Sequence, residues 1–120
     1  MKREKVERMP IAYIAGPYRS RWGIIGRIIN ILKARQTSIK LWQWGYAVIC
    51  PHMNTALFDG KAPDDVWLKG DLEFIRRLHC KHGKTPSDVI YMMKDFSNSI
   101  GALKELELAK KCGLEVLYEE

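Results

Sequence analysis

Glu105 is an acidic residue whose neighbours at helical spacing carry no charge. The residues three and four positions away are Gly101, Ala102, Leu108 and Ala109. Three of the four are small, so a ligand could approach the carboxylate closely. A carboxylate on an uncharged helix face is costly to bury unless another group satisfies it, and such a group tends to have a raised pKa. Glu105 is therefore a candidate for acid–base or nucleophilic chemistry.

Asp71 is isolated in the same way. Its neighbours at helical spacing are Trp67, Leu68, Phe74 and Ile75, all of them apolar. A carboxyl group held protonated by such surroundings can act as a general acid. For both carboxylates, an equally good explanation is a bond to a backbone amide or to a basic side chain from elsewhere in the fold.

The apolar pattern of the chain alternates strands with helices. Short apolar runs predict strands over residues 11–15, 46–50, 89–93 and 114–118, and helical spacing predicts helices over 22–44, 63–78 and 99–111. Gly45 and Gly113 are suited to end the first and last helices, and residues from 51 to about 62 form a predicted loop. This order predicts an α/β fold, Rossmann-like or flavodoxin-like, with three layers and a parallel sheet of four to five strands.

Ligands of such folds bind beyond the carboxyl ends of the strands. The segments there are 16–22, 51–60 and 95–99. In the first, backbone amides and Arg19 could hold a phosphate, although the segment matches neither a P-loop nor a GxGxxG motif. In the second lies His52, and Ser99 ends the third. Ser99 is either a plain helix cap or a donor to a bound anion.

Composition indicates a soluble globular chain. Its 120 residues fit one domain over 11–120, after a flexible basic lead-in at 1–10, and the net charge is +6. The longest apolar runs are far shorter than the ~20 residues that span a bilayer, and the N-terminus lacks the apolar core of a secretory signal. We therefore expect a cytoplasmic protein without a membrane partner. The basic charge suits an anionic ligand, either a small phosphate ester or a nucleic acid.

Cysteine and histidine give no sign of a metal or a disulfide framework. The three cysteines form no CxxC pair, and the cluster of His79, Cys80 and His82 matches no zinc spacing. We therefore expect no metal and no cofactor.

Three sequence motifs together resemble the nucleoside 2-deoxyribosyltransferase superfamily. They are AYIAGPYR at 12–19, WLKGDLEFI at 67–75 and SIGALKELELA at 99–109, and the resemblance extends over 11–118. Ser99 stands where transferases acting on free nucleosides have an aspartate, so the chain looks more like the deoxynucleoside 5'-monophosphate N-hydrolases. The PHMNT motif at 51–55 is similar to that of short uncharacterised relatives.

The resemblance implies a role for each matched residue. Glu105 would attack or stabilise the anomeric carbon, Asp71 would protonate or position the departing base, and Tyr13 would orient Glu105. Arg19 and Ser99 would hold a 5'-phosphate. The remaining substrate contacts would come from Gly16, Pro17, His52 and Gly101.

The sequence therefore predicts cleavage or transfer at the N-glycosidic bond of a (deoxy)nucleoside or its 5'-monophosphate. Two alternatives stay open: a non-catalytic nucleotide-binding protein on the same scaffold, and a basic nucleic-acid-binding module. We also expect a homo-oligomer, because Trp42, Trp44 and Trp67 look exposed and exceed what one core of this size needs, and the resemblance points the same way.

Overall fold

The structure is a computed structural model that describes residues 9–80 and 87–120. Apart from residues 9 and 10, the predicted lead-in lies outside the described residues, as do residues 81–86 of the loop before the third strand. The elements, in chain order, are β1 (Ile11–Ala15), α1 (Gly23–Gln43), β2 (Ala47–Ile49), α2 (Pro51–Asn54), α3 (Asp64–Arg76), β3 (Val89–Met92), a 3-10 turn (Phe96–Asn98), α4 (Ile100–Lys111) and β4 (Glu115–Tyr118). In these ranges, no helix is long and apolar enough to cross a membrane.

The strands form a parallel sheet in the order β2-β1-β3-β4. This confirms the predicted α/β class, with four strands. β1 is an inner strand, so Tyr13 has a neighbour on each side, Ile49 in β2 and Ile90 in β3. Tyr13 is fully buried as a result.

Side-chain alternation along the strands builds one core on each face of the sheet. Ala12 and Ile14 point towards α1, whereas Tyr13 and Ala15 point towards α3 and α4. The helices therefore form two outer layers around the sheet, which confirms the three-layer prediction. Because Tyr13 faces the α4 side, its long side chain reaches towards the helix that carries Glu105.

Local signals set the helix ends as predicted. Gly45 and Gly113 follow α1 and α4 with φ angles of 96° and 74°, the left-handed conformation that favours glycine. At the start of α4, the Ala102 N–H donates to Ser99 Oγ over 3.1 Å. Ser99 is thus a helix cap.

The prediction of a continuous loop after β2 is wrong. The short helix α2 begins directly at Pro51, whose fixed φ suits the first position of a helix. The turn is closed by bonds from Met53 N–H and Asn54 N–H to the carbonyl of Cys50. A helix of one turn is too short for hydrophobic periodicity to reveal it.

A buried carboxylate joins the start of the sheet to the segment before β3. Asp88 is completely buried, its Oδ1 accepts from Ile11 N–H over 2.9 Å, and its Oδ2 accepts from His79 N–H over 2.8 Å. Asp88 therefore gives both of these partly buried backbone donors an acceptor.

Asp88→Ala should lower the free energy of unfolding by about 3 kcal/mol, because two backbone donors lose their acceptor. The matched control is Asp65→Ala, which removes an exposed carboxylate paired with Lys69 and should change stability little. Urea denaturation followed by circular dichroism measures both. Equal stabilities of the two variants would contradict the role of Asp88.

Candidate active site

A cavity of about 440 Å³ opens at the carboxyl ends of β1 and β2. Its walls come from the segments after these strands, from the end of the 3-10 turn after β3 and from the first two turns of α3 and α4. The volume lies in the range of small-molecule sites. This is the edge of the sheet where the topology predicts a ligand.

Most of the predicted site residues meet at this cavity. Seven of the nine line it: Gly16, Arg19, His52, Asp71, Ser99, Gly101 and Glu105. Tyr13 and Pro17 are absent from the lining and act from behind it. Pro17 offers its carbonyl to Nε2 of the buried His52 over 2.9 Å. Burial lowers the pKa of His52, so the neutral ring donates from Nε2 and fixes the Pro17 loop.

Tyr13 and Glu105 form a buried hydrogen bond between the sheet and α4. The Tyr13 hydroxyl donates to Glu105 Oε2. Burial raises the pKa of Tyr13 well above its usual value, and the neighbouring charge of Glu105 raises it further. Tyr13 therefore stays protonated and remains a donor, which fixes the orientation of the carboxyl group.

Glu105 is both buried and part of the cavity wall. Its side chain is only 7% exposed, and burial raises its pKa to about 8. The Tyr13 hydrogen bond opposes this shift, whereas the charge of Asp71 adds to it. The isolation of Glu105 in the sequence thus reflects a real desolvated site rather than a bond to a basic side chain.

Asp71 lies on α3, beside Trp67 and Leu68 in the lining. Burial raises its pKa to about 6. The two carboxyl groups are close enough for the charge of Asp71 to affect Glu105, and at neutral pH the pair together holds about one proton.

Arg19 is already held by carboxylates of its own chain. Its Nη2 lies 2.6 Å from Asp64 Oδ1 and 4.0 Å from Asp59 Oδ2. Arg27 also approaches Asp59, with Nε 3.8 Å from Oδ2. The rim of the cavity is therefore a network of both charges rather than a simple basic patch. A phosphate would have to compete with Asp64 for the guanidinium.

Several residues that sequence reasoning missed shape the loop carrying Arg19. The Tyr18 hydroxyl donates to Asp59 over 2.7 Å and accepts from Leu57 N–H over 2.9 Å. Asn30 Nδ2 donates to the carbonyl of Tyr18 over 3.1 Å. Asp59 lies in the segment 51–60, which the predicted strand order places at the ligand-binding edge of the sheet. Its partners are distant in sequence, however, and no local pattern identifies them.

Gly26 allows the same loop to lie against α1. A Cβ atom at this position would overlap the Oγ and Cβ atoms of Ser20, so the loop would have to move away from the helix. A glycine inside a helix usually weakens it. A glycine at position 26 of a predicted helix was therefore the sequence feature that could have indicated a packing role.

Trp67 lines the cavity, and the expectation that it is an exposed surface residue is wrong. It is half-buried, and its ring meets that of Phe58 edge to face at a centroid distance of 6.0 Å. Trp42 and Trp44, by contrast, are exposed as expected. The position of Trp67 gives the site a flat aromatic surface next to Asp71.

A family model described as a domain of unknown function, DUF4406, matches residues 11–118. The chain belongs to this family. No curated protein and no solved structure matches the chain. The DUF4406 match runs from β1 to the end of β4, so every cavity residue lies inside the family's domain.

The raised pKa of Glu105 predicts a pH-dependent loss of stability. In the unfolded chain this group titrates near 4.5 and in the folded protein near 8. Between these values the unfolded state binds fewer protons, so stability falls as pH rises. Glu105→Gln removes this effect, and its advantage over the wild type should grow by on the order of 3 kcal/mol from pH 5 to pH 8.

Urea denaturation at several pH values measures the difference. Glu107→Gln is the control, because Glu107 lies on the exposed side of α4 beside Lys111. Its curve should run parallel to that of the wild type. A parallel curve for Glu105→Gln as well would show that Glu105 is not desolvated.

Proposed function

We propose that this protein cleaves or transfers at the N-glycosidic bond of a (deoxy)nucleoside or its 5'-monophosphate, with Glu105 facing the anomeric carbon. One observation carries the proposal: a desolvated glutamate, oriented by a buried tyrosine, lies with a second carboxyl group in a cavity large enough for a nucleotide. The resemblance to the nucleoside 2-deoxyribosyltransferase superfamily gives these three residues the same roles.

The chemistry requires a negative group beside the sugar. Cleavage of the bond between C1' and the base nitrogen builds positive charge at C1'. The Glu105 carboxylate either stabilises this charge or bonds to C1' and forms a glycosyl ester. Water or a second base then takes the sugar and releases the carboxylate. Tyr13 keeps one carboxyl oxygen occupied, which aims the group throughout.

The departing base needs a proton, and the carboxyl pair can supply one. With pKa values of about 6 for Asp71 and about 8 for Glu105, the pair holds about one proton at neutral pH. Positive charge developing at C1' favours the ionised form of Glu105. The proton that the pair holds is therefore available for transfer to the departing base. Asp71 is the group that would deliver it.

The lining of the cavity suggests a place for each part of the substrate. Trp67 provides a stacking surface for the base next to Asp71. Gly101 leaves room for the sugar near Glu105. Even a Cβ atom added to Gly101 would stay at least 3.8 Å from the nearest side-chain atom. The first turn of α4 and Arg19 could then receive a 5'-phosphate.

The first alternative, a nucleotide-binding protein without catalysis, would use the same stacking and phosphate contacts. It differs in one respect, because binding alone does not require a carboxyl group beside the sugar. A nucleic-acid-binding role gains no support from the cavity, where the acidic lining residues Asp59, Asp64, Asp71 and Glu105 stand with Arg19.

Glu105→Gln should reduce the release of free base by about 1000-fold or more, since the amide can neither ionise nor attack. Chromatography of nucleosides and 5'-monophosphates incubated with the protein measures the release. Glu107→Gln, on the exposed side of the same helix, is the matched control and should stay within about twofold of the wild type.

Two results would contradict this assignment. Full activity in Glu105→Gln with loss in Glu107→Gln would place the catalytic residue on the other side of α4. Tight binding of nucleotides without base release from any of them would leave the binding protein as the function.

Asp64→Asn should favour 5'-monophosphates specifically, because it frees Arg19 for the phosphate. The ion pair is exposed, so we expect a modest effect, about a three- to tenfold lower KM for the monophosphate. The free nucleoside should be unaffected. Asp65→Asn is the control in the same helical turn, since Asp65 pairs with Lys69 instead. An equal change for nucleoside and monophosphate would show that Arg19 does not contact the phosphate.

A further inference from the structure

α1 presents most of its large apolar side chains to solvent and mainly small residues to the sheet. The buried residues of the helix are Gly26, Ala34, Thr37, Ser38 and Leu41. On the opposite side lies what we call the α1 apolar face: Trp22, Ile24, Ile25, Ile28, Ile29, Leu32 and Ile39, all exposed. Residues three and four apart lie on the same side of a helix, so the face is continuous from Trp22 to Leu32, and Ile39 lies two turns further along the same side.

The α1 apolar face is larger than a monomeric protein normally leaves in water. Trp22 is 72% exposed and Ile25 is 67% exposed. The combined exposed area is on the order of 700 Å², whereas the largest apolar patch of a typical monomer is about 300–600 Å² and each partner of a standard interface contributes about 800 Å². A partner that covered this face would remove about as much surface as a stable dimer does.

We propose that the α1 apolar face packs against the same face of a second copy of this chain, about a two-fold axis near Ile28. Two rows of side chains at i, i+4 spacing cross the face, Ile24–Ile28–Leu32 and Ile25–Ile29. Rows of this kind pack into the grooves between the equivalent rows of another helix, with the two axes crossing at about 50°. A face built from such rows is complementary to itself, as a two-fold interface requires.

The positions of the charges favour a second copy over an anionic membrane. The charged residues of α1 are Arg27, Lys33, Arg35 and Lys40, all basic. Two of them turn to their own chain: Arg27 towards Asp59, and Lys40 towards the hydroxyl and ring of Tyr91. Neither of these two fringes the apolar face as the lysines and arginines of a membrane-surface helix do. Just before the helix, Arg21 lies over the Trp22 ring at one end of the face.

The remaining two basic residues are compatible with a pair of crossed helices. Lys33 and Arg35 lie more than a turn from Ile28, towards the C-terminus of α1. Two helices that cross at about 50° near Ile28 diverge along their axes, so these two side chains would remain in solvent. Between Ile24 and Leu32 the apolar face itself contains no charged residue. Interface cores are depleted of charge in the same way.

The inner side of the same helical turns supports the candidate site. Gly26 and Asn30 hold the loop that carries Arg19, and Arg27 approaches Asp59 at the cavity rim. A second copy on the outer side would therefore restrain the turns on which this loop rests. The self-association itself does not depend on the proposed catalytic activity.

Sedimentation velocity of the full chain tests the interface. The wild type should sediment at twice the chain mass of 13.9 kDa at micromolar concentration. Ile28→Glu should weaken the association at least about 100-fold, because two carboxylates would meet near the axis. The control is Leu103→Glu on α4, whose parent residue is 42% exposed against 41% for Ile28, and it should remain dimeric.

Folding of the variants is checked by circular dichroism. Ile28 is exposed in the single chain, so Ile28→Glu should keep the wild-type spectrum. If Ile28→Glu does not fold, the milder Ile25→Ser takes its place and should also weaken the association, though by a smaller factor. A monomeric wild type overturns the proposal, as does a dimer that withstands both α1 variants. A third result would also overturn it: the wild type co-sediments with vesicles that contain anionic lipid, and Ile28→Glu does not. A membrane would then cover the face.

Discussion

The candidate site depends on one buried contact, the hydrogen bond from the Tyr13 hydroxyl to Glu105. A carboxyl group in the interior is destabilising unless its oxygens have partners. Tyr13 can provide one only because β1 is an inner strand and because the alternation of that strand points the ring towards α4. The order of the strands, the cap at Ser99 and the packing of α4 on the sheet therefore act together on the position of a single side chain.

The rim of the cavity follows a different rule, in which charges are balanced within the chain. Arg19 is shared by Asp59 and Asp64, and Tyr18 fixes Asp59 from the other side. These ion pairs are partly exposed and individually weak, so they hold the loop without locking it. The floor of the site is thus buried and desolvated, whereas its entrance is polar and open to competition from an anionic ligand.

The sequence predicted what depends on neighbours along the chain. The order of the elements, the glycines that end α1 and α4 and the cap at Ser99 are local, and the uncharged surroundings of Glu105 and Asp71 could be counted directly. Contacts between distant residues were out of reach, such as Arg19 with Asp64 or Asn30 with Tyr18. Periodicity identified α1 as a helix, but it could not show that the side rich in isoleucine faces away from the sheet.

Glu105 also separates the demands of folding from those of chemistry. A glutamine could accept the same hydrogen bond from Tyr13 without the cost of ionisation, and a leucine would fill the space near Ala102 and Ala109 without any polar group. Stability alone therefore gives no reason for a carboxyl group at this position. Its pKa is raised by the same burial that removes water from the cavity floor, and low local polarity strengthens any interaction with a positive charge that develops there. The buried carboxyl group of Glu105 therefore weakens the fold at neutral pH and would also make the site reactive. The apolar packing of α4 against the sheet produces both effects, because it causes the burial.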